Sequence, residues 1–374
     1  MEEKKVEYLE LIYDLIFVYL IGRNNSLLQD LQGGFPSGKV FLTYVLCTLA
    51  LIQIWNFTTF YINRYGRNGL RDHIFLFVNM FLLYYMADGT RVYWQAYFDR
   101  YNAAWALILF NIGLQYFLEA RNHKIAPWNQ KQLQRSMLIL WGEAVIVVLS
   151  IPVFHLTRLT LAPAAIFFGI LFTALSSRTN QLVAVDFSHL TERAMLYVVF
   201  TFGEMIIAIA AYFEGKITPN SVYFSLMAFV IVVGLFLSYG TLYDRIIDRE
   251  RATNGTGYML LHVFLIFALN NITSALEFMR EEEVSLLPKT LFLTGSFLLY
   301  YTFLFATERY AKERLRPNRR FVTRILILIV CFVALMLLFR HNMHLNIAVT
   351  VIYVYSVYLV LFRFARRNNQ YLVE

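Results

Sequence analysis

Three acidic residues near the start of the chain are spaced for one face of a helix. Glu7, Glu10 and Asp14 follow an i, i+3, i+7 pattern in an otherwise apolar stretch, so they would share an arc of about 60°. On a membrane helix Asp14 would lie about 10 Å deeper than Glu7, where an unpaired carboxylate costs roughly 2.5–3.5 kcal/mol. The spacing of these three acids predicts a pathway for protons or cations that faces the interior of a helix bundle. Alternatively, Glu7 and Glu10 only complement the positive N-terminal end of their helix.

A second charged pair occurs in the other half of the chain. His189 and Glu192 stand i, i+3 at the start of another apolar stretch. Carboxylate and imidazole groups at such spacing bind metals inside helix bundles, so Glu7, Glu10, His189 and Glu192 together could hold a divalent metal. The alternative is an interhelical polar lock in which Arg193, or another arginine, neutralises the acids.

Three further polar residues are expected inside apolar segments. Glu204 follows Gly203, and Glu143 follows Gly142, each within a run of apolar residues. A buried carboxyl of this kind can carry a proton, or it can stay neutral and close a hydrogen bond between helices. His262 is a candidate for the same pathway, although a single histidine in an apolar helix also occurs as a hydrogen-bonded packing residue.

Other charges near the predicted helix ends are expected to have a structural role. Asp88 and Arg91 are i, i+3 and would pair with each other, while Arg245 would extend toward the membrane surface. The residues predicted for structural ion pairs are Asp88, Arg91, Arg64, Arg193, Asp244 and Arg245.

The composition indicates the solvent that surrounds these helices. The chain has 374 residues, of which 59% are hydrophobic and 16% charged, and its mean hydropathy is +0.53. Soluble domains carry roughly 25% charged residues, so most of this chain has to face lipid. The formal charge of +8 does not indicate a nucleic-acid partner, because Lys and Arg occur in short segments between apolar runs. No segment between those runs is long enough for a soluble catalytic domain.

An all-α, polytopic transmembrane helix bundle of about 12 spans is predicted from apolar segments close to the 20 residues that a span needs. When the 33 Lys and Arg are assigned to successive loops, 24 fall on one side and 9 on the other. Cytoplasmic loops collect basic residues, so both termini are expected in the cytoplasm. The basic stretch 309–324 is then a cytoplasmic loop or a contact for anionic lipid heads. The segments are 7–22, 40–62, 73–90, 101–119, 135–155, 159–177, 189–213, 217–243, 257–278, 288–307, 321–339 and 344–362.

The two halves of the chain show internal similarity. At a shift of about 182 residues, Val6–Glu10 aligns with Ser188–Glu192, and Tyr61–Arg64 aligns with Tyr243–Arg245. Each half would supply six helices that start from the same side of the membrane. The prediction is two parallel six-helix repeats, residues 1–182 and 183–374, as in several transporter folds.

Several segments combine charged or aromatic residues with fixed apolar spacing. They are Glu10–Val18, His189–Arg193, Gly203 with Glu204, Tyr258–His262, and Trp55 with Tyr61, Asn63 and Arg64. These motifs resemble those of the bacterial low temperature requirement A (LtrA) family, and the likeness spans nearly the whole chain. The resemblance implies a multi-pass protein of the bacterial inner membrane that is associated with growth in the cold. It implies no particular biochemical activity.

Three functions stay open at this point. The first is a transporter or permeation pathway for a small ion or solute, with proton coupling through the buried carboxylates. The second is a membrane-embedded enzyme that acts on lipid or isoprenoid, with a divalent metal near the cytoplasmic face. The third is a non-catalytic membrane protein whose charges only lock helices together. The expected partners are membrane lipids, a small ion or solute and a second copy of the chain, with no cofactor apart from that metal.

Overall fold

The computed structural model of the chain is almost entirely helical. It describes residues 4–369 apart from 30, 33, 90–93, 123–125, 177–184, 214–216 and 281–282. Each of the twelve predicted segments contains a helix, and two short strands pair around Gly34, whose φ of +87° favours glycine. The elements are α1 (Tyr8–Asn25), β1 (Leu31–Gln32), β2 (Phe35–Pro36), α2 (Gly38–Tyr65), α3 (Leu70–Gly89), α4 (Trp94–Ala120), α5 (Pro127–Thr157), α6 (Ala162–Ser176), α7 (Phe187–Ala210), α8 (Pro219–Thr241), α9 (Thr256–Arg280), α10 (Leu286–Ala306), α11 (Arg319–Leu338) and α12 (Met343–Asn369).

Nine helices in the described part of the chain are long and apolar enough to cross a membrane. The other three are α1, which carries Glu10, Asp14 and Arg23 among its 18 residues, α3, and the 15-residue α6. The membrane helix bundle is therefore confirmed, whereas the count of twelve spans stays a prediction.

Local signals in the sequence fix where several helices begin. Thr218 and Ser221 form a capping box ahead of α8, and Pro219 occupies the first position of that helix. The Asn318 side chain caps α11 because it accepts a hydrogen bond from the backbone N–H of Phe321 at 2.9 Å. Such caps hold each helix in register, so its polar side chains lie at defined depths.

The first of two compact units contains the charged segments of the N-terminal half. It comprises Met1–Asp30, Pro36–Tyr197 and Ala252–Val263, and thus holds α1–α6 with the starts of α7 and α9. Within it, α4 packs along α3 and α5, and α2 packs against α1, α4 and α6. Trp55 and Trp105 are fully buried in its core.

The second unit comprises Leu31–Phe35, Val198–Arg251 and Phe264–Glu374. Within it, α12 packs against α8, α10 and α11. The outer faces of α11 and α12 carry exposed apolar side chains such as Val330 and Ile352, as helices in contact with lipid do. The sequence repeats predicted for residues 1–182 and 183–374 stay a prediction.

Candidate functional site

A buried arginine joins the two charged helices of the first unit. The Arg193 guanidinium on α7 is fully buried and forms an ion pair through Nη2 with Asp14 of α1. Its Nε also donates to Asp14 Oδ2 at 3.4 Å, and its Nη1 lies 3.2 Å from Glu10 Oε2. His189 Nε2 lies 3.4 Å from the same Glu10 oxygen. These four residues, here named the charge cluster, are i, i+4 pairs on the facing sides of α1 and α7.

Asp14 is held in a dry, aromatic environment. The Trp55 indole Nε1 of α2 donates to Asp14 Oδ1 at 2.7 Å, and the Tyr197 ring packs edge-on against Trp55 at 4.5 Å between centroids. The Tyr13 hydroxyl is 3.1 Å from Thr58 Oγ1. All five side chains are 0% exposed. Because a guanidinium stays protonated even when it is buried, Asp14 is the carboxylate that neutralises it.

Asn63 of α2 fixes the tautomer of His189. The backbone N–H of Asp186 donates to Asn63 Oδ1 at 3.2 Å, and Asn63 Nδ2 donates to the carbonyl of Asp186 at 2.8 Å. These two bonds set the orientation of the amide, so Nδ2 is also the donor to His189 Nδ1 at 3.0 Å. Because Nδ1 is an acceptor, the proton of the neutral ring sits on Nε2, the nitrogen that faces Glu10.

The charge cluster contains two carboxyls for one guanidinium. Asp14 pairs with Arg193 through two of the guanidinium nitrogens, and His189 accepts a hydrogen bond from Asn63 at Nδ1. Glu10 is the second carboxyl; it is 3% exposed, and its Oε2 has no hydrogen bond of good geometry with a described residue. It also lies one turn nearer the helix end than Asp14. Of the two acids, Glu10 is therefore the one that is less firmly held by hydrogen bonds.

Lys4 and Asp186 close the charge cluster where α1 and α7 begin. The Lys4 backbone N–H donates to Asp186 Oδ2 at 3.0 Å, and its Nζ donates to two backbone carbonyls at the end of α2. Asp186 Oδ1 accepts from the backbone N–H of His189 at 3.0 Å and so caps α7. Burial lowers the pKa of the Lys4 amine, and the charge of Glu10 opposes that shift. A cation thus lies near the surplus carboxyl.

The four residues predicted as metal ligands do not converge. In the chain as described, no group of three or more His, Cys, Asp or Glu is arranged to hold a metal ion. Glu10 and His189 meet, but the Arg193 guanidinium lies beside them and repels a divalent cation. Glu7 and Glu192 are partly exposed and form no ion pair with the charge cluster. Glu10 and Asp14 contact the Arg193 guanidinium, and His189 contacts Glu10.

Glu143 forms a second polar contact inside the first unit. It is fully buried on α5, and its Oε2 accepts a hydrogen bond from Gln53 Nε2 of α2 at 3.0 Å. Its Oε1 and Gln53 Oε1 have no hydrogen-bond partner among the described residues. Gln53 lines a cavity of about 30 Å³ that α2, α6 and the start of α9 enclose. A cavity of that size has room for one or two water molecules, which could donate to Gln53 Oε1.

Gly169 of α6 permits the close packing around the Glu143–Gln53 bond. A Cβ atom at this position would overlap Gln53 Nε2 and Glu143 Oε2. We expect Gly169→Ala to destabilise the protein by about 1–3 kcal/mol, as overpacking does, measured as thermal unfolding in detergent. The control is Gly203→Ala, where a Cβ atom meets nothing within 4 Å, and alanine favours a helix. Equal melting midpoints for the two variants would contradict the close packing.

Glu204 and His262 have different surroundings. Glu204 belongs to the second unit, where it is partly buried and forms no ion pair with a described residue of that unit. His262 belongs to the first unit and is buried; its Nδ1 donates to the carbonyl of Tyr258 at 2.9 Å, one turn earlier, and the two rings lie 4.2 Å apart. These contacts are typical of a packing histidine, and a part in a proton pathway stays a prediction for both residues.

The ion pairs expected at Arg64, Asp244 and Arg245 are not found among the described residues. The Arg64 guanidinium lies 4.8 Å from the centroid of the Phe60 ring, and the Arg245 guanidinium lies 4.8 Å from that of Phe362. Both arginines therefore make cation–π contacts. Asp244 is exposed, and successive residues in a helical turn point in different directions, so it does not reach Arg245.

The remaining predicted pair, Asp88 with Arg91, lies outside the side chains that the structure describes.

A further buried carboxylate site was not predicted from the sequence patterns. Glu119 on α4 is 1% exposed and forms ion pairs with Arg71 and with Arg67, the latter at 3.1 Å. Arg71 Nη2 also donates to the Tyr61 hydroxyl at 3.1 Å. The available signal was the closeness of two arginines, Arg67 in the turn before α3 and Arg71 in its first turn, because neighbouring cations favour a nearby acid.

Comparison with known proteins identifies a family that covers nearly the whole chain. Residues 5–357 match the family described as bacterial low temperature requirement A protein (LtrA). The chain belongs to the LtrA family. A search of curated proteins found no match, and neither did a search of solved structures. In this LtrA protein, the two motifs Glu10–Val18 and His189–Arg193 supply all four residues of the charge cluster.

Proposed function

We propose that this LtrA protein is a transporter or permeation pathway of the bacterial inner membrane for a small ion or solute, coupled to protons through the charge cluster. The observation that carries the proposal is the surplus acid, because the buried carboxyls of Glu10 and Asp14 share one arginine. Ionisable groups inside membrane proteins are costly and mark ion or proton pathways.

The protonation of Glu10 sets the net charge of the charge cluster. With Glu10 protonated, Arg193 and Asp14 balance each other. With Glu10 ionised, the four residues of the charge cluster carry one excess negative charge, which attracts the nearby Lys4 amine and the Arg193 guanidinium, already 3.2 Å from Glu10. A guanidinium drawn toward Glu10 loosens its hold on Asp14, one turn further along α1. Proton release thus shifts the balance between two contacts of α1 with α7.

The dry surroundings of Asp14 suit the closed state of such a transporter. Water that passed Asp14 freely would let protons cross without substrate. The fully buried indole of Trp55 and the ring of Tyr197 beside it exclude water from that carboxylate.

A second candidate is a non-catalytic lock that only holds helices together. The observation that favours it is the completeness of the contacts at Asp14, which accepts hydrogen bonds from Trp55 and Arg193 with no exposed surface. This candidate predicts that neutral replacements in the charge cluster lower the thermal stability and change no flux. The metal-dependent enzyme has less support, because the predicted ligands do not converge in the described chain.

Proton movement in liposomes separates the two candidates. The purified protein is reconstituted into liposomes that contain a pH-sensitive dye, and outward gradients of sodium, potassium and phosphate are imposed in turn. A proton-coupled transporter changes the internal pH under at least one of these gradients, at a rate that increases with the amount of protein. Proteoliposomes that match empty liposomes under every gradient and at every pH would contradict the proposal and favour the lock.

A further inference from the structure

The ends of two helices in the second unit form a basic groove. Its volume is about 550 Å³, and no acidic side chain lines it. Two arginines come from the start of α11 and three from the end of α12. The arginines that line the basic groove are Arg320, Arg324, Arg363, Arg366 and Arg367.

The described chain does not neutralise these arginines. None of the five forms an ion pair with a described residue, and all five are exposed. Arg320 and Arg324 also stand in the first turns of α11, where the helix dipole is positive and a cation is unfavourable. Helix stability therefore does not explain these two arginines, whereas Arg366 and Arg367 stand in the last turn of α12, where the dipole favours a cation. Guanidinium groups that converge in this way repel one another unless an anion from outside lies between them.

The position and the lining of the basic groove favour a lipid over a soluble anion. Both α11 and α12 are apolar enough to cross a membrane, so the groove lies where they leave it. Phe321 and Phe364, with ring centroids 4.7 Å apart, line it beside the arginines. Ile327, which is 56% exposed and stands one turn beyond Arg324 on the same face, continues this apolar surface along α11. A phospholipid matches both parts, with a phosphate for the arginines and acyl chains for the apolar face.

We propose that the basic groove is a binding site for the phosphate headgroup of an anionic membrane phospholipid. Arginine forms two parallel hydrogen bonds to a phosphate, and basic pockets between membrane helices bind anionic headgroups. The lipid would join the ends of α11 and α12 by bridging arginines from both helices. This inference does not depend on the proposed transport.

The test is a lipid titration of the delipidated full-length protein followed by native mass spectrometry. Phosphatidylglycerol is compared with phosphatidylcholine of the same acyl chains and with inorganic phosphate. The wild type should bind phosphatidylglycerol, and Arg320→Gln/Arg324→Gln/Arg363→Gln should weaken that binding by about 100-fold, or about fivefold for each arginine. Phosphatidylcholine should bind wild type and variant equally, and inorganic phosphate should not displace the anionic lipid.

The matched control removes three positive charges from the preceding loop, outside the basic groove. Lys312→Gln/Arg314→Gln/Arg316→Gln should bind phosphatidylglycerol like the wild type, since these residues are exposed and do not line the groove. Equal losses in both triple variants would overturn the site in favour of general surface attraction. Displacement of the lipid by inorganic phosphate would overturn it in favour of a soluble anion. If the glutamine variant does not fold, Arg320→Lys/Arg324→Lys/Arg363→Lys keeps the charge without the bidentate geometry and should still bind more weakly than the wild type.

Discussion

Arg193→Met should destabilise the protein by about 3–5 kcal/mol, because it leaves two buried carboxyls without their base. The guanidinium is fully buried and contacts both Asp14 and Glu10. Methionine is flexible and apolar and fills most of the same space, so the loss reports mainly the missing charge. The measurement is thermal unfolding in detergent. Arg193→Lys keeps the charge but loses the fork that contacts both acids, and its stability should lie between those of the wild type and Arg193→Met.

Removing the acids together with the arginine should restore most of that stability. Glu10→Gln/Asp14→Asn/Arg193→Met has no charge in the cluster, and the amide oxygen at position 14 can still accept the hydrogen bond from Trp55. Replacing a complete buried ion pair with neutral groups is often nearly neutral in free energy. A triple variant that unfolds as early as Arg193→Met would contradict an electrostatic role for Arg193 and indicate a packing role.

Glu10→Gln should abolish the gradient-driven proton movement while the protein stays folded. Glutamine has nearly the same shape as glutamate but cannot take up or release a proton. It also leaves the Arg193–Asp14 pair intact, so the melting midpoint should change little. Asp14→Asn should instead lose both flux and stability, because it removes the charge that neutralises Arg193. The measurements are the rate of internal pH change in proteoliposomes and thermal unfolding of the same preparations.

The matched control for Glu10→Gln is Glu7→Gln on the same helix. Glu7 precedes the first residue of α1, and its side chain makes no capping hydrogen bond. We expect this variant to keep the wild-type proton flux. Wild-type flux in Glu10→Gln would show that the surplus carboxyl carries no proton, whereas loss of flux in both variants would indicate a general effect of charge at the start of α1.

The positions of the helices could be predicted from the sequence, but the number of spans could not. Apolar runs of about 20 residues have few alternatives to a helix in lipid, and all twelve of them contain one. Whether α1 crosses the membrane depends on what neutralises Glu10 and Asp14. The residue that contacts both acids is Arg193, which lies 179 positions after Asp14 in the chain, so local sequence patterns do not reveal the pairing.

The site could be predicted only as a set of charged positions. Spacing of i, i+3 and spacing of i, i+4 both place two residues on one face of a helix. The pairs that form the site have i, i+4 spacing: Glu10 and Asp14 lie on α1, and His189 and Arg193 lie on α7. Contacts between the two helices select these pairs. Trp55 and Asn63 carry no charge, so their hydrogen bonds to Asp14 and His189 become visible only when α2 packs against both charged helices.

The proton on Glu10 is tested most directly by infrared difference spectroscopy of the membrane-reconstituted protein between alkaline and acidic pH. The wild type should gain a carboxylic-acid C=O band on acidification. The wild-type-minus-variant difference should show a missing component of that band for Glu10→Gln, at the frequency of a buried carboxyl, and no such loss for Glu7→Gln, because only the first of these acids is buried beside His189 and Arg193. A band of unchanged intensity in Glu10→Gln would contradict the claim that Glu10 exchanges the proton.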